Sequence, residues 1–292
     1  MPIGAQGESM QQVDQILDSL KAIPPLPDVA QRLLAMVNDP DYEIDAVVDL
    51  VRHDPTLTAR LLRLVNSAMF GNARAITTVP EAIAYAGTRN LVKIVLVSCT
   101  ASQFAATPTS RYADPGELWR HTLGCAFTSQ HLAARVALDP SLAFTAGVLH
   151  NVGKIALARH GAAWRADLAD SVTEEVHDLC AIERQSFGVD HAHAAAVVAT
   201  AWQLPAELAE PLATHHDDEP ATPLAAVLDL ADTLTLAAGI GNPVAPRSPS
   251  PRPASLELLE LDAGDLQTAT AHLMVEMQRC QELLNLNSFV DR

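Results

Sequence analysis

Ten of the eleven histidines lie after residue 106, together with most of the acidic side chains. Imidazole and carboxylate groups are both ligands that divalent metal ions accept. Glu117 and His121 are four residues apart on a predicted helix, and Asp229 and Asp232 are three apart on another, so each pair shares one helical face. Further candidate side chains lie near the ends of other predicted helices: His150, Asn151, His191, His193, His215 and His216. Such groups can converge on a metal ion inside a helical bundle.

Each of these side chains also has an ordinary structural explanation. Glu117 and His121 can form a solvated pair on a helix surface. His150 fits a hydrogen-bonded core histidine as well as it fits a metal ligand. Asn151 fits a structural amide at a helix end better than it fits a ligand. The ordered set is therefore more informative than any single pair.

Two pairs of histidines are so close in the sequence that both members of a pair are not expected to point at the same site. His193 follows His191 by two residues, so the two imidazoles point in different directions on one helix and His193 is predicted to face solvent. His215 and His216 are neighbours, so at most one of them is predicted to belong to a metal site.

The elements that must position these groups are helices. Apolar residues recur with helical spacing along the chain, and no hairpin pattern accompanies them. Thr78 with Glu81, and Asp114 followed by Pro115, have the spacing of helix N-termini, and Asp190 is placed to cap a third helix. The sequence therefore predicts an all-α fold.

A small, polar segment from 105 to 112 separates two helical lobes. The predicted division is an N-terminal lobe at 9–104, a helical bundle at 112–240, a Pro-rich linker at 241–255 and a C-terminal helix at 256–288. Five prolines between 242 and 255 favour a flexible or exposed linker there.

Charge and composition exclude several classes of protein. The net charge of −16 and the pI of about 4.9 argue against nucleic acid and anionic membranes as partners. No apolar run reaches the roughly 18 residues of a membrane span, and the first residues lack the pattern of a signal peptide, so a cytoplasmic location is expected. The four cysteines form no CxxC pair and are predicted to be reduced core thiols rather than a disulfide or thiolate zinc site.

The ordered motifs resemble a known family. They are IPPLP at 23–27, HDPTL at 53–57, LVNS at 64–67, AFTAGVLHNVGK at 143–154, GVDH at 188–191 and WQLP at 202–205. With His121, His215-His216 and Asp232, this order is similar to the HD phosphohydrolase superfamily. The closer resemblance is to the HDOD domain, a degenerate relative found in bacterial signalling proteins, and it covers residues from about 16 to 240.

The resemblance implies that the second lobe is an HD-like bundle. It also implies a metal site of His121, His150 and Asp232, with His191, His215 or His216 nearby. Three other residues become neighbours of a vestigial site: Glu117, Asn151 and Lys154. Lys154 would contact a phosphate in an active relative, although a surface lysine is the more ordinary explanation.

Two departures from the superfamily pattern limit this site. Asn151 stands where the superfamily has Asp, and a neutral amide cannot bridge two dications, so we expect one divalent ion at most: Fe, Mn, Zn or Ni. The Gly-Tyr-Pro signature of the cyclic di-GMP hydrolases is also absent, because His215-His216 is followed by Asp217.

The leading hypothesis is therefore a non-enzymatic regulatory module that acts through signalling proteins or a nucleotide-type ligand, with a homodimer as one form. The alternative is a metal-dependent phosphohydrolase acting on a nucleotide or cyclic dinucleotide. A purely structural scaffold would bind neither a metal nor a ligand.

Overall fold

The computed structural model describes residues 18, 28–37, 43–66, 74–109, 112, 114–160, 179–241 and 250–280. Within these ranges the regular elements are helices and no strand occurs, which confirms the predicted all-α class. The helix predicted near residues 13–20, the start of the one predicted from Ser171, and most of the Pro-rich segment lie outside the described residues.

The N-terminal lobe contains α1 (Asp28–Val37), α2 (Ile44–Arg52), α3 (Pro55–Val65), α4 (Val79–Ala86) and α5 (Thr88–Ala105). The Asp54 carboxylate accepts a hydrogen bond from the Leu57 amide, and the Thr78 hydroxyl accepts one from Glu81. These caps begin α3 and α4 because they satisfy amide groups that have no partner within the helix.

No single described helix is long and apolar enough to cross a membrane. Two consecutive helices would be long and apolar enough for a membrane span only if they were counted together, Val79–Ala86 and Asn90–Ala105. They meet at an angle of 109°.

The second lobe contains α6 (Pro115–Arg135), α7 (Pro140–Leu149), α8 (Val152–His160), α9 (Leu179–Phe187), α10 (His191–Ala201), α11 (Ala206–Thr214) and α12 (Pro223–Ala237). Helix α6 lies at its centre and packs against α7 and α12. The approach of α6 to α7 is close, because a Cβ atom at Gly147 would lie 2.5 Å from the Ala126 Cα. Helix α12 is buried along most of its length.

The two lobes meet along α5, which contacts α6, α7 and α8. The Phe104 and Trp119 rings pack with their centroids 5.2 Å apart, and both side chains are fully buried. The Arg159 guanidinium donates to the side chain and the backbone carbonyl of Gln103. This interface fixes the position of the second lobe's central helices against the first lobe.

The C-terminal segment differs from the predicted linker and single helix. It forms α13 (Pro253–Leu259) and α14 (Ala263–Arg279), so a helix already begins within the stretch predicted as linker. Ser255 is buried and donates a hydrogen bond to Asp229 on α12. Proline content predicted an exposed segment here. Proline is, however, compatible with the first turn of a helix, where Pro253 lies. Ser255 has a buried hydrogen-bond partner in Asp229.

Helix α14 folds back onto α6. Leu273 is fully buried, and the His131 and His272 rings stack with their centroids 4.4 Å apart. This stacking pairs the two histidines across the α6–α14 interface.

Gly153 provides a test of the packing between α8 and α10. A Cβ atom at this position would lie 1.9 Å from the His191 carbonyl oxygen and 2.7 Å from the Ala195 amide nitrogen, so the two helices would have to separate. We expect Gly153→Ala to lower the free energy of unfolding by at least about 1–3 kcal/mol, the usual cost of overpacking. Urea unfolding with an unchanged slope measures this, and wild-type stability in the variant would contradict the described packing.

Candidate functional site

Four ligand-type side chains meet in the interior of the second lobe. His121 and Cys125 lie one turn apart on α6, His150 ends α7, and Asp232 lies on α12. Their donor atoms all lie within 4.8 Å of one another, and all four residues are buried. We call this set the His–Cys–Asp cluster.

His121 is the most highly connected member of the His–Cys–Asp cluster. Its Nε2 lies 2.7 Å from the Asp232 Oδ1 and 3.3 Å from the Cys125 Sγ. Its Nδ1–H donates to the Ile240 carbonyl, 3.2 Å away. Burial opposes a positive charge on this imidazole, but the neighbouring Cys125 and the hydrogen-bonded Asp232 carboxylate outweigh it and raise the pKa of His121 to about 10.

The chain after α12 must pass very close to His121. Gly241 has φ of +100°, and a Cβ atom there would lie 2.7 Å from the His121 Cβ. Glycine satisfies both requirements, because it adopts positive φ without penalty and adds no side chain. The Ile240 carbonyl is thereby brought against the imidazole.

His150 is oriented by backbone and amide contacts. Its Nδ1–H donates to the Gly147 carbonyl at 2.7 Å, so its Nε2 is left as an acceptor for the Asn151 amide, also at 2.7 Å. Burial and the positive charges of His215 and His121 lower the pKa of His150 well below its usual value, although Asp232 opposes them. His150 is therefore a neutral imidazole, with its Nε2 accepting from the Asn151 amide and lying 3.9 Å from the Asp232 Oδ1.

Asn151 is fully buried beside His150. Its Oδ1 has no hydrogen-bond partner within the described ranges of the chain. A buried amide oxygen without a partner is uncommon and costly, so it indicates a missing group at this position. A cation or an ordered water would satisfy it.

A second group of polar side chains lies beside the first, and we call it the Glu183 group: Cys180, Glu183, His191 and His216. The buried Glu183 carboxylate accepts hydrogen bonds from the His191 Nδ1–H at 2.6 Å and the Tyr112 hydroxyl at 2.7 Å. The His191 Nε2 lies 2.9 Å from the His216 Nε2, so these two nitrogens can share one proton or one cation. A carboxylate that orients an imidazole in this way is typical of the surroundings of metal-binding histidines.

His215 lies between the two sets. Its ring centroid is 5.6 Å from that of His150 and 5.8 Å from that of His191, and its Nδ1–H donates to the Leu212 carbonyl. Five imidazoles, four of them buried and that of His216 half-buried, therefore form a continuous path from α6 to α10.

Arg252 fastens the C-terminal segment to this region. Its guanidinium donates to the Asp229 Oδ1 at 2.6 Å and to the His216 carbonyl at 2.6 Å. Asp229 is thus occupied by a structural ion pair, whereas Asp232, one turn further along α12, faces His121. The geometry separates two aspartates that spacing alone could not distinguish.

The structure brings together His121, His150 and Asp232, and it places His191, His215 and His216 in the adjoining positions. Three other predicted residues stand apart. Glu117 is half-buried one turn before His121 and contributes no atom to the cluster, Lys154 is half-buried in the first turn of α8, and the largely exposed His193 contacts Asp190. Binding of a metal by the predicted residues stays a prediction.

Sequence reasoning missed several participants: Tyr112, Cys125, Cys180, Glu183 and Arg252. The four-residue spacing between His121 and Cys125 was a usable signal, because it puts both on one helical face. The contacts of Tyr112 and Arg252 join segments that are distant in the sequence, so no local pattern indicates them.

The donor set fits a single divalent ion. Imidazole nitrogen, thiolate sulfur and carboxylate oxygen are all accepted by zinc and by other late first-row metals. The His150 Nε2 is one of these donor atoms, and in the structure it accepts a hydrogen bond from the Asn151 amide that an ion would have to displace.

The family assignment follows from comparison with known proteins. The HDOD domain family matches residues 23–218, more than half of the chain. The chain belongs to the HDOD domain family. The sequence resemblance is thereby confirmed.

Solved structures share the fold. A candidate phosphohydrolase from Shewanella amazonensis SB2B is 26% identical, with a TM-score of 0.73 over 92% of this chain and 97% of that one. An HDOD domain protein of unknown function from Geobacter sulfurreducens is 24% identical, with a TM-score of 0.75 over 94% and 99%. A candidate signal transduction protein from Marinobacter aquaeolei VT8 is 21% identical, with a TM-score of 0.79 over 97% and 66%.

A curated relative is longer than this chain. An uncharacterised protein of Treponema pallidum (strain Nichols) is 24% identical over 217 residues, which cover 74% of this chain and 42% of that protein. The chain thus spans less than half the length of this relative.

Asp190 allows a pH-dependent test of how α10, and with it His191, is held. Its carboxylate accepts from the His193 amide, the His193 side chain and Arg184. Burial alone would raise the pKa of Asp190, but these hydrogen bonds lower it well below 3.8. The ionised Asp190 cap therefore stabilises the fold at pH values above about 3.8. This contribution is lost as the pH falls through the pKa that Asp190 has in the folded state.

We expect Asp190→Ala to lower the free energy of unfolding by about 1 kcal/mol or more at neutral pH. The difference from wild type should shrink as the pH is lowered below 3.8. Urea unfolding at several pH values measures it, with the exposed Glu219→Ala as the control. A difference that is constant with pH would show that the carboxylate charge is not involved.

Proposed function

We propose that this HDOD protein is a non-enzymatic regulatory module of bacterial signal transduction that acts through protein partners or a bound ligand. The observation that carries the proposal is Asn151. It stands where the phosphohydrolase pattern has a metal-bridging Asp, and its amide is hydrogen-bonded to the Nε2 of His150.

Two physical features of the site argue against hydrolysis. A neutral amide oxygen cannot hold two dications together as a bridging carboxylate does. A metal-dependent hydrolase also needs an open coordination position where a bound water becomes a nucleophile. Here His121, His150, Asn151 and Asp232 are at most 5% exposed, so a substrate phosphate has no access to them in this arrangement.

The same features support a conformational role. The His–Cys–Asp cluster joins α6, the end of α7 and α12, and the Glu183 group joins α9, α10 and the turn after α11. A bound ion would add a further link between helices that already meet through the hydrogen bonds of His121 with Asp232 and of His191 with Glu183. The similarity in fold to the Marinobacter candidate signal transduction protein supports this role, and the cytoplasm is its predicted location.

The residues that would hold an ion are His121, His150 and Asp232, with His191, His215 and His216 nearby. One ion of Fe, Mn, Zn or Ni fits the proposal. When bound, such an ion supplies positive charge that neutralises the buried carboxylate and links the helices. A signalling protein or a nucleotide-type ligand would respond to the resulting arrangement, and nucleic acid is disfavoured by the net charge of −16.

A metal-dependent phosphohydrolase is the second candidate. The 26% identity to the candidate phosphohydrolase from Shewanella amazonensis, over 92% of this chain, favours it. In that case Lys154 would contact a substrate phosphate, and the substrate would be a nucleotide or a cyclic dinucleotide.

A hydrolysis screen separates the two functions. Wild type, His150→Ala and the exposed His53→Ala are incubated with nucleotides and cyclic dinucleotides in the presence of Mn or Fe. We expect no turnover above background in any of the three. Turnover by wild type and His53→Ala that disappears in His150→Ala would establish the enzyme and overturn the regulatory proposal.

Metal content tests the ion independently of activity. After identical loading, we expect at most one ion per chain in wild type, less in His150→Ala, and more in Asn151→Asp, because the new carboxylate adds a negative ligand. Elemental analysis of the desalted proteins measures this. Equal content in all three would show that the cluster is a hydrogen-bonded core and not a metal site.

A further inference from the structure

We propose that Cys125 is the fourth ligand of this site, bound as a thiolate, and that the four side chains of the His–Cys–Asp cluster close the coordination shell. This inference rests on the single ion of the proposed function and identifies the kind of centre that the ion forms. It assigns to Cys125 a role that the motifs of the chain do not indicate.

The geometry of α6 places Cys125 correctly. His121 and Cys125 are one helical turn apart, so both side chains leave the helix on the face that meets α12. The Cys125 Sγ is 3.3 Å from the His121 Nε2, and the His150 Nε2 is 3.9 Å from the Asp232 Oδ1. Tetrahedral zinc sites with bonds of about 2.0–2.3 Å separate their donor atoms by roughly 3.3–3.8 Å. An ion would therefore separate the His121 Nε2 from the Asp232 Oδ1, which are hydrogen-bonded at 2.7 Å in the structure.

The cysteine also replaces the charge that Asn151 removes. A site with two carboxylates carries two negative charges toward its cation, and substitution of one by Asn leaves only Asp232. When an ion binds, the Cys125 Sγ and the His121 Nε2 each release a proton to solvent, and the thiolate restores the second negative charge. The loss at position 151 and the thiol at position 125 are thus complementary within one buried site.

A closed four-ligand shell has a functional consequence. Structural zinc sites have four protein ligands, whereas catalytic sites keep one position for water or substrate. Two imidazoles, one thiolate and one carboxylate leave no such position. A thiolate also shifts selectivity from Mn²⁺ toward Zn²⁺, because soft sulfur ligands favour the latter.

The other cysteines do not offer the same set. Burial raises the pKa of both Cys99 and Cys280 to about 12, and neither belongs to a group of metal-type ligands among the described residues. Cys180 is the nearest rival, because it lies in the Glu183 group with His191 and His216. A test must therefore distinguish Cys125 from Cys180.

Cobalt(II) provides this test, because a thiolate bound to cobalt gives a charge-transfer band in the near ultraviolet that nitrogen and oxygen ligands do not give. The full chain is titrated with Co²⁺ alone, and the variants are Cys125→Ser, Cys180→Ser and Cys280→Ser. We expect the band at one cobalt per chain in wild type, Cys180→Ser and Cys280→Ser, and its loss in Cys125→Ser. The Zn²⁺ affinity of Cys125→Ser should fall by at least about 100-fold.

The outcomes separate this inference from the function on which it rests. Cobalt bound without the band, or a band that persists in Cys125→Ser, overturns the role of Cys125 and leaves a one-ion regulatory module intact. A band lost in Cys180→Ser instead assigns the thiolate to the Glu183 group and also overturns the inference. No cobalt binding by folded wild type removes the ion from the proposed function as well, while the hydrolysis screen still decides between module and enzyme.

A double variant guards against a folding defect in Cys125→Ser. Adding Asn151→Asp to Cys125→Ser replaces the lost thiolate with a carboxylate next to His150, beside the same cluster. We expect this protein to recover cobalt binding without the charge-transfer band, and to take up more Mn²⁺ in competition with Zn²⁺ than wild type does. Failure to recover binding in a protein with native circular dichroism would contradict the proposed exchange of ligands.

Discussion

The buried pair of His121 and Asp232 fixes the relation between the two most enclosed helices of the second lobe. The 2.7 Å contact joins α6 to α12, and both side chains are about 95% removed from solvent. An ion pair in such surroundings contributes little net stability, but removal of one partner leaves an uncompensated charge that costs about 3–5 kcal/mol. The positions of His150, of the Ile240 carbonyl and of Gly241 follow from this pair, because each of them contacts one of its members.

On the other side of His215, the Glu183 group likewise joins two helices through a buried carboxylate and an imidazole, since Glu183 on α9 is hydrogen-bonded to His191 on α10. Glu183 is completely buried, and its charge is balanced by donors from Tyr112 and His191. Burial and the adjacent carboxylate raise the pKa of Tyr112 well above its usual value, so its hydroxyl remains a donor. Polar networks of this kind specify one arrangement of helices, because a partly satisfied network is worse than none.

Local sequence patterns predicted the helices and several of their starts, because capping and apolar periodicity act within a few residues. The family pattern also indicated His121, His150 and Asp232, which the structure brings together. Cys125 was predicted to be a core thiol, since buried cysteines usually are. Its distance from His121 along the helix was visible, but the proximity of Asp232, more than a hundred residues away, was not.

The Pro-rich stretch shows a different limit of prediction. Composition describes the average behaviour of a segment, and five prolines between 242 and 255 indicated exposure. The position of the Arg252 side chain depends instead on two hydrogen-bond acceptors outside the Pro-rich segment, which are Asp229 on α12 and the His216 carbonyl after α11. The composition of the Pro-rich segment therefore could not predict which groups Arg252 contacts.

The border of the family match has a practical consequence for how this protein is divided. The match ends at residue 218, after the last histidine of the five-imidazole path but before Asp232 and Arg252. A fragment trimmed to that border would keep all five imidazoles and lose the carboxylate that faces them. It would also expose the surface of α6 that α12 covers. Boundaries taken from the shared family core would thus cut through the centre of this protein rather than around it.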